Sequence, residues 1–172
     1  MNYYYNFMPK VKLRLQKISD AKRFYEILNN DNFIYFGARP KSVADERKWL
    51  KQNPKRQKNN TDWGYTIIYG KEIVGGIGIK INFHRKYIGE IGYFIDEKYW
   101  NKGIASQAVK LIEKIGFKKL KLSRIEILMQ PVNKASEKVA IKNGYIKEGQ
   151  MRKVFRSKEG EMKDCYLYAK VL

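Results

Sequence analysis

The sequence predicts an α/β (α+β) fold: one mixed, mostly antiparallel sheet covered by helices, formed as a single domain over residues 1–172. Two strand-like runs, WGYTIIY (63–69) and EIVGGIGIKI (72–81), flank Gly70-Lys71, which reads as a tight antiparallel hairpin. Further along, strand-like segments alternate with helical patterns, the crossover connections that permit parallel neighbours. A chain of 172 residues with 44 % hydrophobic content supports one proper core and is too short for two ordinary domains.

The first strand is VKLRLQ (11–16), by its alternation. From Asp20, residues Ala21, Phe24, Ile27 and Leu28 fall at helical spacing. Ser42 with Asp45 resembles a capping box for a second helix reaching Trp49 and Leu50. KQNPKRQKNN (51–60) is polar, has no apolar period and reads as a loop. IGEIGYFI (88–95) is the strand after the hairpin. A helix is expected from about Gly103 to Phe117, with Ala105, Ala108, Val109, Ile112 and Ile115 toward the core. RIEILMQ (124–130) is a strand, Asn133 N-caps a helix ending before Gly144, and the tail, with DCYLYAKVL (164–172), returns to strand.

No apolar run approaches the length of a membrane span. MNYYYNFMPKVKLRLQ lacks the basic start, apolar block and small-residue cleavage site of a secretory signal. The single cysteine, Cys165, excludes an internal disulfide framework and suits a reducing, cytoplasmic setting. The formal charge is +19, from 36 basic against 17 acidic side chains, with dense runs at 51–58, 118–124 and 152–158. Such a charge draws anions at long range. Nucleic acid, an acidic protein, the ribosome and a phosphorylated cofactor all satisfy it, as does a solvated lysine-rich surface. His84 reads as a surface loop residue and Cys165 as a buried strand side chain rather than an acetyl-carrying nucleophile. No metal is expected. The tyrosine-rich start at 3–5 reads as an arm or as an oligomer contact, which leaves a homodimer open.

VGGIGIKI imitates a dinucleotide fingerprint with Gly75, Gly76 and Gly78, but these lie inside a strand pattern and no helix follows. Glycines so placed mark a bulge or a close backbone approach. FIDEKYWNKGIASQAV (94–109) differs. A strand stops at Ile95, a loop carries Gly103, and a helix opens with the small residues Ala105 and Ser106. That arrangement offers an anion unpaired amides and the partial positive charge of a helix N-terminus, and Lys102 adds a full charge. It is not a Walker loop, because Lys102 precedes the glycine. An ordinary strand-to-helix connection fits the same residues.

Five segments in register resolve that ambiguity: LRLQKISDAKRFYEILNND (13–31), ADERKWL (44–50), EIVGGIGI (72–79), GEIGYFIDEKYWNKGIASQAV (89–109) and NKASEKVAIKNGYIKEG (133–149). Together they resemble the general amine N-acetyltransferase (GNAT) superfamily, in the branch of the ribosomal-protein-alanine N-terminal acetyltransferases. The superfamily writes its acetyl-CoA pyrophosphate loop Gln/Arg-x-x-Gly-x-Gly/Ala, and Trp100 to Ala105 occupy that frame. Trp100 departs from it and offers no polar clamp of that kind. The resemblance therefore rests binding on the backbone from Asn101 through Lys102, Gly103, Ile104 and Ala105 to Ser106. A second departure is Ala140, where many members carry a tyrosine seven residues after the motif asparagine; in this branch the position three after it is often serine, here Ser136.

The resemblance implies a sheet splayed in the middle and flanked by about four helices, acetyl-CoA as cosubstrate, and direct transfer to a primary amine in a ternary complex. Glu90 aligns with the catalytic glutamate and would relay the amine proton through water, an α-amine of pKa about 8 being only modestly mismatched to a tuned carboxylate. A backbone amide around Phe94 or Ile95 would stabilise the oxyanion. Asn133 would bond the pantetheine arm, Ser136 would serve the departing sulfur, and Asp164 would order the site. The acceptor implied is a protein N-terminus, ribosome-associated by branch. A polyamine or aminoglycoside acceptor, and a non-catalytic RNA-binding module with this fold, remain as alternatives.

Overall fold

Alternation in the first half of the chain becomes four strands paired antiparallel in sequence order: β1 (Val11–Leu15), β2 (Asp62–Tyr69), β3 (Glu72–Ile81) and β4 (Ile88–Ile95). The computed structural model describes residues 10–35, 39–157 and 160–172, so the tyrosine-rich start lies outside the described residues. Between β1 and β2 run α1 (Ala21–Leu28), α2 (Val43–Lys51) and α3 (Asn53–Lys58). The helix α4 (Ile104–Lys114) then crosses over, so that β5 (Arg124–Met129) lies parallel to β4. After α5 (Lys134–Lys142), the hairpin of β6 (Ile146–Arg156) and β7 (Met162–Val171) completes a seven-stranded sheet in the order β1-β2-β3-β4-β5-β7-β6. The mixed, mostly antiparallel sheet is the one the sequence predicts.

Period-two alternation along β4 sends Ile91 and Ile95 to one face and Phe94 to the other. Ile91 and Ile95 join the large core with Ile79 and Ile125 of the sheet and Ile104, Val109 and Ile112 of α4. Full burial of each such side chain contributes about 1.5–3 kcal/mol. On the opposite face Phe94 meets Phe24 of α1 edge-on at 5.2 Å, beside Ala21 and Leu50 of α2. The two helix layers therefore grip β4 from both sides.

Local polar ties set the angles. Asp20, 1 % exposed at the head of α1, takes both Arg14 guanidinium nitrogens at 2.7 and 2.8 Å, the Thr66 hydroxyl at 2.6 Å and the Lys17 amide at 2.9 Å. Those bonds outweigh burial, the largest single influence, and hold its carboxyl below the usual range. Ser42 caps α2 by accepting from the Asp45 amide at 3.1 Å.

Three boundaries differ from the sequence reading. The stretch 51–60 is mostly helical: Pro54 sits in the first turn of α3, where its missing N–H costs nothing, and Asn53 ties that turn to Gln16. The predicted helix from Gly103 begins at Ile104 and, after Lys114, widens into a π turn over Ile115–Lys119. Gly116 in that turn rests so close to the sheet that a Cβ would lie 2.7 Å from Ile125 Cδ1. Finally, β6 is a full strand of 11 residues, nearly all exposed, so burial left no alternation to read.

Candidate active site

Parallel pairing of β4 with β5 lasts only through Ile88–Arg124, Gly89–Ile125 and Glu90–Glu126. Beyond that point the strands separate into a cleft of about 1080 Å³. Its walls are the ends of β4 and β5, the start of α4 and the first turns of α5; residues 32–35 and Val154, Phe155 and Cys165 frame its other mouth. Of the residues singled out in the sequence, Glu90, Phe94, Ile95, Asn101, Gly103, Ile104, Ala105, Ser106, Asn133 and Ser136 all line this cleft. Lys102 is not among the lining residues; its ammonium lies 4.9 Å from the centre of the ring of Tyr99, which is.

The turn before α4 is built for an anion. Asn101 and Gly103 both have positive φ, 59° and 71°, a winding that directs successive amides to one side. Gly103 is the N-cap, no side chain caps the helix, and an added Cβ there would meet nothing within 4 Å. The first amides of α4 thus face open space at the positive end of the helix.

Trp100 holds this turn in place. Its indole donates to the Ile95 carbonyl at 2.7 Å, and its ring stacks at a tilt on Phe33, 5.8 Å away. Where the superfamily motif has a polar side chain, this chain has a strut. Two further ties brace the same turn: Arg23 bonds Asp96 and donates to the Ile73 carbonyl, while Asn30 and Asn32 donate to the two Glu97 carboxylate oxygens at 2.6 and 2.7 Å.

At the fork of the sheet, Lys80, Glu90 and Glu126 stand side by side across β3, β4 and β5. Glu90 keeps solvent contact in the cleft, yet the surrounding walls desolvate it and raise its pKa; Lys80 opposes that shift and Glu126 adds to it. Arg124 bonds Glu126 at 2.6 Å and shares itself with Glu148. Asn133 caps α5, its Oδ1 accepting from the Ser136 amide at 3.1 Å, which presents Ser136 on the first turn.

Tyr93, between Ile91 and Ile95 on the core face of β4, also lines the cleft. Burial pushes its phenol up to about 12, with Ser136 opposing in part, and the buried hydroxyl has no hydrogen bond of ordinary geometry. The sequence reading passed over it because alternation marks it as one more core residue. Trp100, Arg23 and Glu97 likewise carried no signal for the contacts they make across distant segments.

Cys165 is 2 % exposed and its thiol is pushed up by burial, then by Glu90 and Asp164, which keeps it protonated. Asp164 accepts from the Lys153 amide at 2.9 Å and Gln150 at 2.7 Å, pinning the irregular stretch of β6 that delivers Val154 and Phe155 to the cleft. His84 is exposed in the β3–β4 connection.

Residues 10–146 match the family model of the acetyltransferase (GNAT) domain. An uncharacterized N-acetyltransferase, YoaA, of Bacillus subtilis (strain 168) is 28 % identical over 164 residues, 92 % of each chain. The solved ribosomal-protein-S5-alanine acetyltransferase from Vibrio fischeri superposes with a TM-score of 0.83 at 25 % identity, over 94 % of this chain and 92 % of that one. A microcin C7 self-immunity acetyltransferase, MccE, solved with acetyl-CoA and AMP, shares the fold with a TM-score of 0.84 at 24 % identity, covering 95 % and 93 %. The chain belongs to the GNAT acetyltransferase family and is an N-acetyltransferase with acetyl-CoA as its cosubstrate.

Proposed function

We propose that the acceptor is the α-amine of a protein N-terminus, of the ribosomal-protein type, acetylated by direct transfer in a ternary complex. The supporting observation is the mouth of the cleft on the α1/α2 side. There the Glu90 carboxylate opens on the cleft in a protein of net charge +19, between Lys80 and a Glu126 already bonded by Arg124, and the apolar Ile34, Tyr35 and Phe155 line the same cleft. An ammonium carried on a peptide matches both parts, its charge on the carboxylate and its first side chains on the apolar rim. The likeness to the ribosomal-protein-S5-alanine acetyltransferase agrees with this reading.

When bound, acetyl-CoA supplies the activated thioester. The amides of residues 101–106 hold its pyrophosphate, supported by the dipole of α4 and by the field of Lys102. Asn133, with Oδ1 committed to its helix, offers Nδ2 to the pantetheine arm. Glu90 receives the amine proton through water, and its raised pKa brings base and amine closer together. The backbone of β4 at Phe94 and Ile95 meets the developing oxyanion. Ser136 hydrogen-bonds the sulfur as charge builds on it. No helix among the described residues is long and apolar enough to cross a membrane.

The test supplies acetyl-CoA with peptides bearing free N-termini, with polyamines and with aminoglycosides, and follows thiol release. Turnover confined to the peptides is expected. Turnover only with polyamines or aminoglycosides contradicts the acceptor assignment, and steeply salt-dependent RNA binding without turnover contradicts the catalytic one.

A further inference from the structure

The superfamily position for a tyrosine that serves the leaving sulfur is Ala140, here wholly buried in the core on α5. A serine hydroxyl is a poor acid at ordinary pH, so Ser136 alone leaves the departing thiolate weakly supported. Tyr93 reaches the same part of the cleft from the opposite wall. It is on β4 just past the fork, its side chain on the α4/α5 face, and Ser136 is the polar group it faces from α5. Its hydroxyl is buried, with no hydrogen bond of ordinary geometry and Ser136 as its polar neighbour. Such a group carries a desolvation cost of about 1–3 kcal/mol unless something answers it, and its neighbours in the cleft are candidate reacting positions.

We propose that Tyr93 is a second catalytic residue of this acetyltransferase: its phenol donates a hydrogen bond to the sulfur of CoA as the thioester breaks, beside Ser136. The inference rests on the reading of the cleft given above. In the step, the amine nitrogen bonds the acetyl carbon, the carbon–sulfur bond breaks and the sulfur keeps the electron pair. The amine proton passes to Glu90 through water. Tyr93 retains its own proton, and the thiolate takes one from solvent on leaving. A phenol pushed up to about 12 suits a permanent donor and not a proton-transferring acid.

Burial keeps Tyr93 neutral, and its nearest titratable neighbour on this face is buried too. Tyr145 lies behind it at the end of α5, next to Glu113 of α4, and Glu113 is bonded by Lys170 of β7 at 3.0 Å. Burial, then Glu113 and Tyr93, raise the Tyr145 phenol as well. Glu90, though on the same strand, occupies the other face of the sheet.

The experiment compares wild type, Tyr93→Phe, Ser136→Ala and the double variant with acetyl-CoA and an accepted amine, with thermal midpoints for all four. Tyr93→Phe is expected to lower kcat about 10–100-fold, at or below the low end of the roughly 100–1000-fold lost with a single oxyanion-hole donor, because sulfur is the weaker acceptor. KM for acetyl-CoA should hold within about twofold, and the midpoint should not fall, since an unsatisfied hydroxyl is removed. From about pH 6 to pH 10 its profile should parallel wild type, because Tyr93 does not titrate there. The double variant should be slower than Ser136→Ala, as two independent donors require. A Tyr93→Phe kcat within about twofold of wild type overturns the inference. So does a double variant no slower than Ser136→Ala, which would make Tyr93 a support for Ser136. A wild type that releases no thiol with any amine fails at the proposed function itself and removes the basis for this role.

Discussion

Replacing Gly103 with valine puts a β-branched side chain at φ 71° and ψ 8°. L-residues occupy that left-handed region at a cost of roughly 1–2 kcal/mol, and β-branching places valine at the upper end. No atom lies within 4 Å of the added Cβ, so the penalty is conformational and no neighbour has to move. In the free protein the turn relieves the strain by rewinding, which turns the amides of residues 101–106 away from the cleft. Binding must restore the winding against that penalty, so the pyrophosphate is held more weakly while Glu90 and Ser136, on β4 and α5, stay in place. At 1.4 kcal/mol per decade the expected rise in KM for acetyl-CoA is about 5–30-fold, with kcat at saturation nearly intact. Steady-state kinetics over an acetyl-CoA titration, with Gly103→Ala as a smaller perturbation of the same kind, measures it. A KM within about twofold of wild type for both variants would refute the backbone cradle.

Glu90→Gln should lower kcat and leave acetyl-CoA affinity nearly unchanged by calorimetry. Because desolvation raises the Glu90 pKa, wild-type rates should climb as pH rises through that value, and the variant should lose this rise; equal turnover across pH would remove the base assignment. Trp100→Phe deletes the 2.7 Å bond to the Ile95 carbonyl, worth about 1 kcal/mol, and should lower the thermal midpoint by about 2–4 °C while raising KM for acetyl-CoA. An unchanged KM would show that the strut does not govern the turn. Asp20→Asn removes a depressed carboxyl whose stabilisation is present above the unfolded pKa near 3.9 and disappears as pH falls through the lower folded value. Its loss should cost about 2 kcal/mol at neutral pH, and the gap from wild type should close in acid melts; a gap independent of pH would contradict the ion pair's role.

Most elements were legible because burial imposes a period on them. β5 alternates around Ile125 and Ile127 and β4 in part around Ile91, β2 and β3 are buried on both faces and read as continuous apolar runs, and α4 repeats Ala108, Val109 and Ile112 at helical spacing. Where burial is missing, the pattern is too. β6 exposes nearly every residue, and α3 is held by Asn53 and Arg56 through polar contacts that no periodicity announces. At the site, the turn ahead of α4, the proposed pyrophosphate cradle, was readable from Gly103 and the small residues after it. The parting of β4 from β5 came only through the family resemblance, since it depends on pairing that stops at Glu90 with no local break in either strand. Trp100 marked a departure from the family motif, but its task as a strut to Ile95 appears only once residues five apart are seen folded together. Tyr93 was hidden for the opposite reason: its place in the core alternation gave no hint that its hydroxyl faces the cleft beside Ser136.

The central claim concerns which nitrogen is acetylated. Incubating the protein with acetyl-CoA and a peptide that begins with alanine and carries an internal lysine, then locating the acetyl group by tandem mass spectrometry, addresses it directly. Acetylation of the N-terminal α-amine is expected, abolished or strongly slowed in Glu90→Gln. Acetyl found on the lysine alone, or an unmodified peptide under conditions where a polyamine or aminoglycoside is acetylated, would contradict it.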